Sequence, residues 1–414
     1  MSFSNISRRG FVQAMGVAGA AGAVALTGCG NSAGGSDNGG SSSEGGDGKF
    51  KLGGIGPITG PAAIYGNACK NAAQIAVDEI NASDSTFKFD YRFEDDENNA
   101  EKSVNAFNTL KDWGMQMLMG TTTTAPCIAV SKEASADNIF ELTPSASSTD
   151  VIGGQPDADG NVAEQRKPNV FQMCFTDPNQ GVASAKYISE QKLGTKVGII
   201  YDSSDAYSTG IDQKFLSEAK NVSLEVVANE AFTADSATDF SAQLNSCKSA
   251  EADILFLPIY YTPASIILKQ AKDMGYAPKF FGVDGMDGIL SLEGFDTSLA
   301  EGVMLLTPFN ADASDEKTQA FVKAYKEKFN ETPNQFAADA YDCVYVLQAA
   351  LEKAECTPDM SASDICDKLV EVFTSSDFVF DGLTGESIAW SDTGEATKEP
   401  KGMVIQNGAY VGME

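Results

Sequence analysis

The stretch that decides the fold runs KFKLGGIG (49–56), PAAIYGNACKNAAQIAVDEIN (61–81) and FKFDYRF (87–93). The first piece reads as a short apolar strand, the second as a helix, and the third as a strand with a two-residue period. Phe87, Phe89, Tyr91 and Phe93 fall on one face, and Lys88, Asp90 and Arg92 on the other. That alternation is the pattern of a strand covered on one side. Strand, helix and strand in this order form a unit whose two strands run the same way.

The same rhythm continues outward. A helix is predicted from about Ala100 to Trp113, a strand over Met115–Met119, a helix over Thr124–Asp137 and a strand over Ile139–Leu142. A turn-rich region, Pro144–Pro168, separates this block from a second series that opens with a strand over Val170–Phe175. Further strands are predicted over Val197–Tyr201, Leu224–Ala231, Ile254–Pro258 and Phe280–Val283, with helices between them. Val303–Thr307 begins a return segment, three helices follow near 316–329, 335–353 and 363–373, and the tail from Phe378 reads as short strands and turns. The expected class is α/β with parallel sheets.

Before Lys49 the chain has a different character. Ser7, Arg8, Arg9, Gly10, Phe11 and Val12 resemble a twin-arginine export pattern, and the apolar run Val12–Leu26 is too short to span a bilayer. Leu26, Thr27, Gly28 and Cys29 resemble a bacterial lipobox, with Cys29 as the lipidated residue. Residues 1–28 are therefore expected to be a signal peptide. Residues 29–48 are expected to be the lipidated cysteine and a flexible Gly/Ser-rich linker, reaching about 24 Å on average. The body would be extracytoplasmic, tied to a bacterial membrane by its lipid alone.

Composition narrows the chemistry. With 29 basic and 58 acidic side chains the formal charge is −29, which disfavours nucleic acid and anionic lipid as partners. The absence of histidine excludes Ser-His-Asp and Cys-His catalysis and removes the commonest zinc ligand. Of eight cysteines, seven remain once Cys29 is assigned to lipid, and none forms a Cys-x-x-Cys pair. Cys356 and Cys366 are the nearest candidates for a local disulfide. Gly53, Gly54, Gly56 and Gly60 miss the dinucleotide-binding spacing, and close packing explains them instead. Asp95 and Asp96, the best pair for an extracytoplasmic enzyme, sit in an acidic run (94–97) that reads as a solvated loop. No metal or cofactor is expected.

Several loops together carry a resemblance: Gly56, Pro57, Ile58, Thr59, Gly60 and Pro61 with Tyr65 and Gly66; Gly120 to Thr124; Thr143 and Pro144; Phe175, Thr176, Asp177 and Gln180; and Gly282 to Gly285. In order and spacing this set resembles the leucine/isoleucine/valine-binding branch of ABC-transporter solute-binding proteins, over most of Lys49–Gly412. The resemblance implies a type I periplasmic-binding, Venus-flytrap fold. Two Rossmann-like lobes with parallel sheets would be joined by three hinge crossovers. Lobe 1 would hold 49–172 plus about 306–376, and lobe 2 would hold 173–305 plus about 377–414. It further implies a non-enzymatic receptor for an aliphatic, branched-chain-like amino acid, with an ABC permease and its ATPase subunits as partners. An amide, urea or aromatic acid as ligand, or a sensory role, is the alternative on the same scaffold.

A free amino acid carries a carboxylate and an ammonium that both need partners once water is expelled. Thr121–Thr124 end a strand and open a helix, so hydroxyls and free N–H groups gather at a positive dipole end suited to the carboxylate. By resemblance Thr124 is the contacting position. Ser145, Ala146 and Ser147 match the family's second contact loop, with Ser147 as its side-chain contact. Asp284 matches the acid that pairs with the ammonium, with Asp287 close enough to be confused with it. Tyr65, Tyr207 and either Tyr260 or Tyr261 supply aromatic walls; the spacing from Asp253 favours Tyr260, and the following Pro263 favours Tyr261.

Overall fold

Strand β1 (Phe50–Gly56) is almost wholly buried, and it is central because it pairs in parallel with both β2 (Phe89–Asp95) and β3 (Met117–Met119). With β4 (Phe140–Thr143) and β5 (Val170–Gln172) it makes a five-stranded parallel sheet of order β2-β1-β3-β4-β5. The computed structural model describes residues 48–155, 162 and 164–413; the expected signal peptide, Cys29 and all but the last residue of the linker lie outside the described residues. Helices α1 (Ala63–Ala82), α2 (Ala100–Trp113) and α3 (Thr124–Ala136) connect these strands. A one-turn helix, α4 (Thr149–Ile152), lies in the region expected to hold only turns.

A second sheet of seven strands has the order β12-β11-β10-β9-β8-β6-β7. Its strands β6 (Lys196–Asp202), β7 (Glu225–Phe232), β8 (Ile254–Leu257), β9 (Lys279–Gly282) and β10 (Met304–Thr307) are parallel. Helices α5 (Asp177–Glu190), α6 (Ala206–Asn221), α7 (Ser241–Ser249) and α8 (Tyr261–Asp273) accompany them. The tail closes the sheet with an antiparallel hairpin, β11 (Lys401–Gln406) and β12 (Ala409–Gly412).

The chain passes between the two sheets three times. It leaves β5 for α5, and leaves β10 for α9 (Glu316–Phe329), which packs on α1 beside α10 (Gln335–Lys353). It then leaves α11 (Ala362–Phe373), which packs on β3 and β4, for β11. The last passage is pinned on its way. The Trp390 indole N–H donates to the Gln172 carbonyl at 2.8 Å, and Lys398 pairs with Asp339 at 2.7 Å in a fully desolvated setting.

Several strand bounds shift, among them the start of β3 at Met117 rather than Met115. The second strand begins at Phe89 rather than Phe87, because the Ser85 hydroxyl occupies both backbone groups of Phe87, accepting at 3.1 Å and donating at 3.3 Å. The strand Val170–Phe175 stops at Gln172. Cys356 and Cys366 form no disulfide: all seven cysteines from Cys69 to Cys366 are buried free thiols, and Cys366 instead lies 3.4 Å from the Asn138 side-chain oxygen. Glycine matters most at two places. A Cβ on Gly66 would sit 2.0 Å from the Pro57 carbonyl oxygen, and one on Gly56 would sit 2.2 Å from the Thr122 hydroxyl, so both residues let loops close on the strand end.

Candidate functional site

The threonine run leaves the C-terminal end of β3 and enters α3, where open parallel sheets place their ligands. Thr123 is the helix N-cap, yet its hydroxyl makes no capping bond and has no hydrogen-bond partner although it is buried. The first bond into the helix runs from the Cys127 N–H to the Thr123 carbonyl at 3.1 Å. The N–H groups of Thr124 and Ala125 precede it and have no partner within the helix, so donors collect at its positive end. The neighbouring threonines are committed elsewhere: the Thr121 hydroxyl donates to the Thr123 carbonyl at 3.1 Å, and that of Thr122 lies 3.4 Å from the Ile55 carbonyl.

The loop after β4 leans on this one. The Thr143 hydroxyl donates to the Thr121 carbonyl at 2.6 Å and accepts from the Ala146 N–H at 3.0 Å, while the Ser145 hydroxyl donates to the Thr122 carbonyl at 2.5 Å. Both loops therefore form one rigid, uncharged wall.

Opposite them, Asp284 follows β9 and is only 3% exposed. Its Oδ1 accepts from the Tyr207 hydroxyl at 2.6 Å, and the same hydroxyl accepts from the Gly285 N–H at 3.0 Å. Burial pushes the Asp284 carboxyl up to about 7, against the lowering effect of Tyr207 and the Gly285 N–H. Tyr65 reaches across from α1: its hydroxyl donates to the Gly285 carbonyl and accepts from the Tyr261 N–H at 3.3 Å. Its ring lies 4.3 Å from that of Phe336 and 5.5 Å from that of Tyr260.

Of the residues singled out in the sequence, Tyr65, Thr124, Ser145, Tyr207, Tyr260 and Asp284 line one cavity between the two walls. In this closed arrangement it has ≈ 10 Å³ of water-accessible space, room for about one water. Three do not line it. Ala146 is fully buried, with its N–H on Thr143 and its carbonyl on the Gln172 amide. Tyr261 opens α8 and stacks edge-on against Tyr65 at 4.8 Å. Ser147 is fully buried outside the lining: its carbonyl accepts from the Asp177 N–H at 2.9 Å, and neither its hydroxyl nor the two Asp177 oxygens have a partner. Burial drives the Asp177 carboxyl well above its ordinary value, with the Ser147 hydroxyl opposing and the Asp284 charge adding to the rise.

Thr122, Thr123, Gly285 and Phe336 also line the cavity and were not picked out by role. The free hydroxyl of Thr123 had a sequence signal in the threonine run. Phe336 had none, since it opens a long apolar helix that reads as core. Asp287 is resolved from Asp284: its carboxylate accepts from the Gln335 N–H at 2.8 Å. The acidic loop is less solvated than expected, because Asp96 is buried and held up to about 7 by that burial. Asp95 accepts from the Ile58 and Glu97 N–H groups and the Thr59 hydroxyl, bracing the first loop.

A wider groove of ≈ 1620 Å³ lies between α5, the start of α9 and residues 381–401. It is open to solvent, whereas the small cavity has the unpartnered buried hydroxyl and the desolvated acid. No cluster of metal-ligating side chains occurs among the described residues.

Two parallel-rich α/β sheets joined by three passages, with a polar cavity at strand ends between them, define a two-lobed solute receptor. The chain belongs to the periplasmic binding protein family, whose profile matches residues 49–407. A Leu/Ile/Val-binding protein, BraC3, of Rhizobium johnstonii is 29% identical over 314 residues, covering 75% of this chain and 81% of its own. The LivJ substrate-binding protein of Streptococcus pneumoniae, solved with isoleucine, superposes with a TM-score of 0.75 at 26% identity, covering 88% of this chain and 100% of that one. The leucine-binding protein LivK of Thermotoga maritima superposes with a TM-score of 0.76 at 23% identity, covering 88% and 98%. Members of the family are solute-binding proteins. No helix among the described residues is long and apolar enough to cross a membrane.

Proposed function

We propose that this chain is the extracytoplasmic binding protein of an ABC importer, capturing an aliphatic amino acid of the branched-chain type and delivering it to a membrane permease without altering it. One observation carries the reading: a free hydroxyl and free helix-end N–H groups at Thr123 and Thr124 face the buried acid Asp284 across a single cavity. The ligand carboxylate would lie against Thr123, Thr124 and Ser145, and its ammonium against Asp284. Tyr65, Tyr207, Tyr260 and Phe336 would enclose the side chain. Ser147, Ala146 and Tyr261 would act behind these contacts. The names of the relatives support the ligand class.

A cavity this small admits an amino acid only when the walls part, so capture couples to closure about the three passages. Lobe 1 would hold 49–172 with about 306–376, and lobe 2 the remainder. A lipid on Cys29 and the linker behind it would keep the body near the permease. Calorimetric titration of the body from residue 49 with the twenty amino acids tests the reading, and heat from none of them overturns it. Mass spectrometry of the full-length protein would detect the diacylglyceryl group on Cys29.

An aromatic carboxylate is the second reading, favoured by the ring-lined wall and by an acid that titrates near neutrality and so can face a ligand lacking an ammonium. Equal affinity for a carboxylate with and without its α-amino group would select it.

A further inference from the structure

The buried face of α5 presents Asp177, Gln180 and Ser184, spaced so that all three fall on one side of the helix, and each carries a polar side-chain atom without a partner. Gln180 differs from the other two because it already touches the site. Its Oε1 accepts the backbone N–H of Asp284 at 3.4 Å, while its Nε2 is buried and donates to nothing. An unpaired amide donor in a dry interior is costly, and it sits beside a carboxyl whose need for donors is greatest when ionised.

We infer that Gln180 is a positioning residue that clamps Asp284, with its carbonyl on the acid's backbone N–H and its amide on the ionised carboxylate, so that the acid faces the cavity charged when an ammonium arrives. Its purpose rests on the amino-acid reading, whereas the contact of the Gln180 carbonyl with the Asp284 N–H does not. Tyr207 already holds Oδ1 from α6, so the clamp from α5 approaches the acid from a different helix. Removing either partner would leave the other in place. Gln180 also lowers the Asp284 carboxyl against the rise caused by burial. The groups facing that carboxyl are Tyr65 from α1, Cys174 just before α5, Asp177 from α5, Tyr207 from α6, Tyr260 at the start of α8, and Asp339 from α10 with its partner Lys398. Lys398 is the one cation among them, and Asp339 takes it up. The amide of Gln180 therefore has no cationic competitor for the task.

The test uses Gln180→Met, which keeps the volume and removes both hydrogen bonds, and Gln180→Glu, which replaces the donor with an acid. In the ligand-free protein the Asp284 carboxyl is followed by carbon-13 NMR, assigned by its loss in Asp284→Asn. Its midpoint is expected to rise by about half a unit to one unit in Gln180→Met, and further in Gln180→Glu. Leucine affinity is then measured from pH 6 to 8.5. Below pH 7 Gln180→Met is expected to bind about three- to tenfold more weakly than wild type, with the deficit closing as the pH rises past the new midpoint. An unmoved midpoint in both variants overturns the clamp, as does a deficit of the same factor at every pH, which is what simple loss of packing would give. If wild type binds no leucine, the amino-acid reading suffers, while the ligand-free titration still decides the role of Gln180.

Discussion

The two walls of the cavity reach similar burial by different means. On the side of the five-stranded sheet, the polar groups are hydroxyls and backbone N–H groups on two loops braced by Thr143, and none is charged. On the side of the seven-stranded sheet the chemistry is concentrated in one carboxyl, held by the Tyr207 hydroxyl and lifted to about 7 by burial. The first wall spreads its interaction over many weak donors. The second depends on a single group, and substitutions should show that inequality.

Asp284→Ala should therefore have the largest effect. Removing one partner of a buried charge pair costs about 3–5 kcal/mol, so amino-acid affinity should fall by roughly two to four orders of magnitude in calorimetry. The same change should not destabilise the empty protein at pH 8. The raised carboxyl is protonated in the folded state and ionised in the unfolded state between about pH 4 and 7. Folding stability consequently falls as pH rises through that window, and a variant without the acid escapes the loss. Lower affinity with an equal or higher Tm at pH 8 is the expected pairing; a lower Tm would mean that the bond from the Tyr207 hydroxyl outweighs the cost of burying the carboxyl.

On the opposite wall Thr123→Val should cost less. Its free hydroxyl would give one bond to a carboxylate, worth about 1.5–3 kcal/mol, or about ten- to a hundredfold in affinity. Thr122→Val should cost less again, because that hydroxyl is already 3.4 Å from the Ile55 carbonyl. Equal losses at the two positions would mean that the wall binds through its backbone alone.

Much of this asymmetry was legible in the chain. The threonine run and Asp284 each follow an apolar strand, and the ends of parallel strands are where side chains of separate loops meet. The Tyr260 and Tyr261 ambiguity was not legible, because adjacent residues at a helix start point in different directions. With α8 opening at Tyr261, Tyr260 takes the N-cap and faces the cavity. Ser147 differs for a related reason: a serine in a tight turn offers its hydroxyl to either side, and here its carbonyl takes the Asp177 N–H while its buried hydroxyl is outside the cavity lining. Phe336 was hidden by distance, since only the packing of α10 against α1 brings it to Tyr65. The burial of Asp96 was hidden by its company, a charge run that otherwise faces water.

The titration of Asp284 offers a comparison that needs no substitution. An ammonium pairs with the ionised form, so affinity should rise about tenfold per pH unit up to about pH 7 and then level off. The uncharged threonine wall contributes no such slope. A des-amino analogue, held only by that wall, should show no rise over the same range. A flat profile for the amino acid would mean that Asp284 is not its partner.

The smallest effect is expected where the walls touch each other. The Tyr65 hydroxyl joins them through the Gly285 carbonyl and the Tyr261 N–H, and nearby the Thr262 hydroxyl donates to the Pro61 carbonyl at 2.9 Å. Tyr65→Phe removes the first link but keeps the ring against Phe336, so it should cost only about 0.5–1.5 kcal/mol, or about two- to tenfold in affinity. Because these bonds belong to closure rather than to the ligand, the loss should be the same factor for every amino acid that binds, and independent of pH. A loss that varied from ligand to ligand would place the hydroxyl on the ligand itself, so that Tyr65 would serve the binding surface with its hydroxyl as well as its ring instead of bonding the seam between the walls.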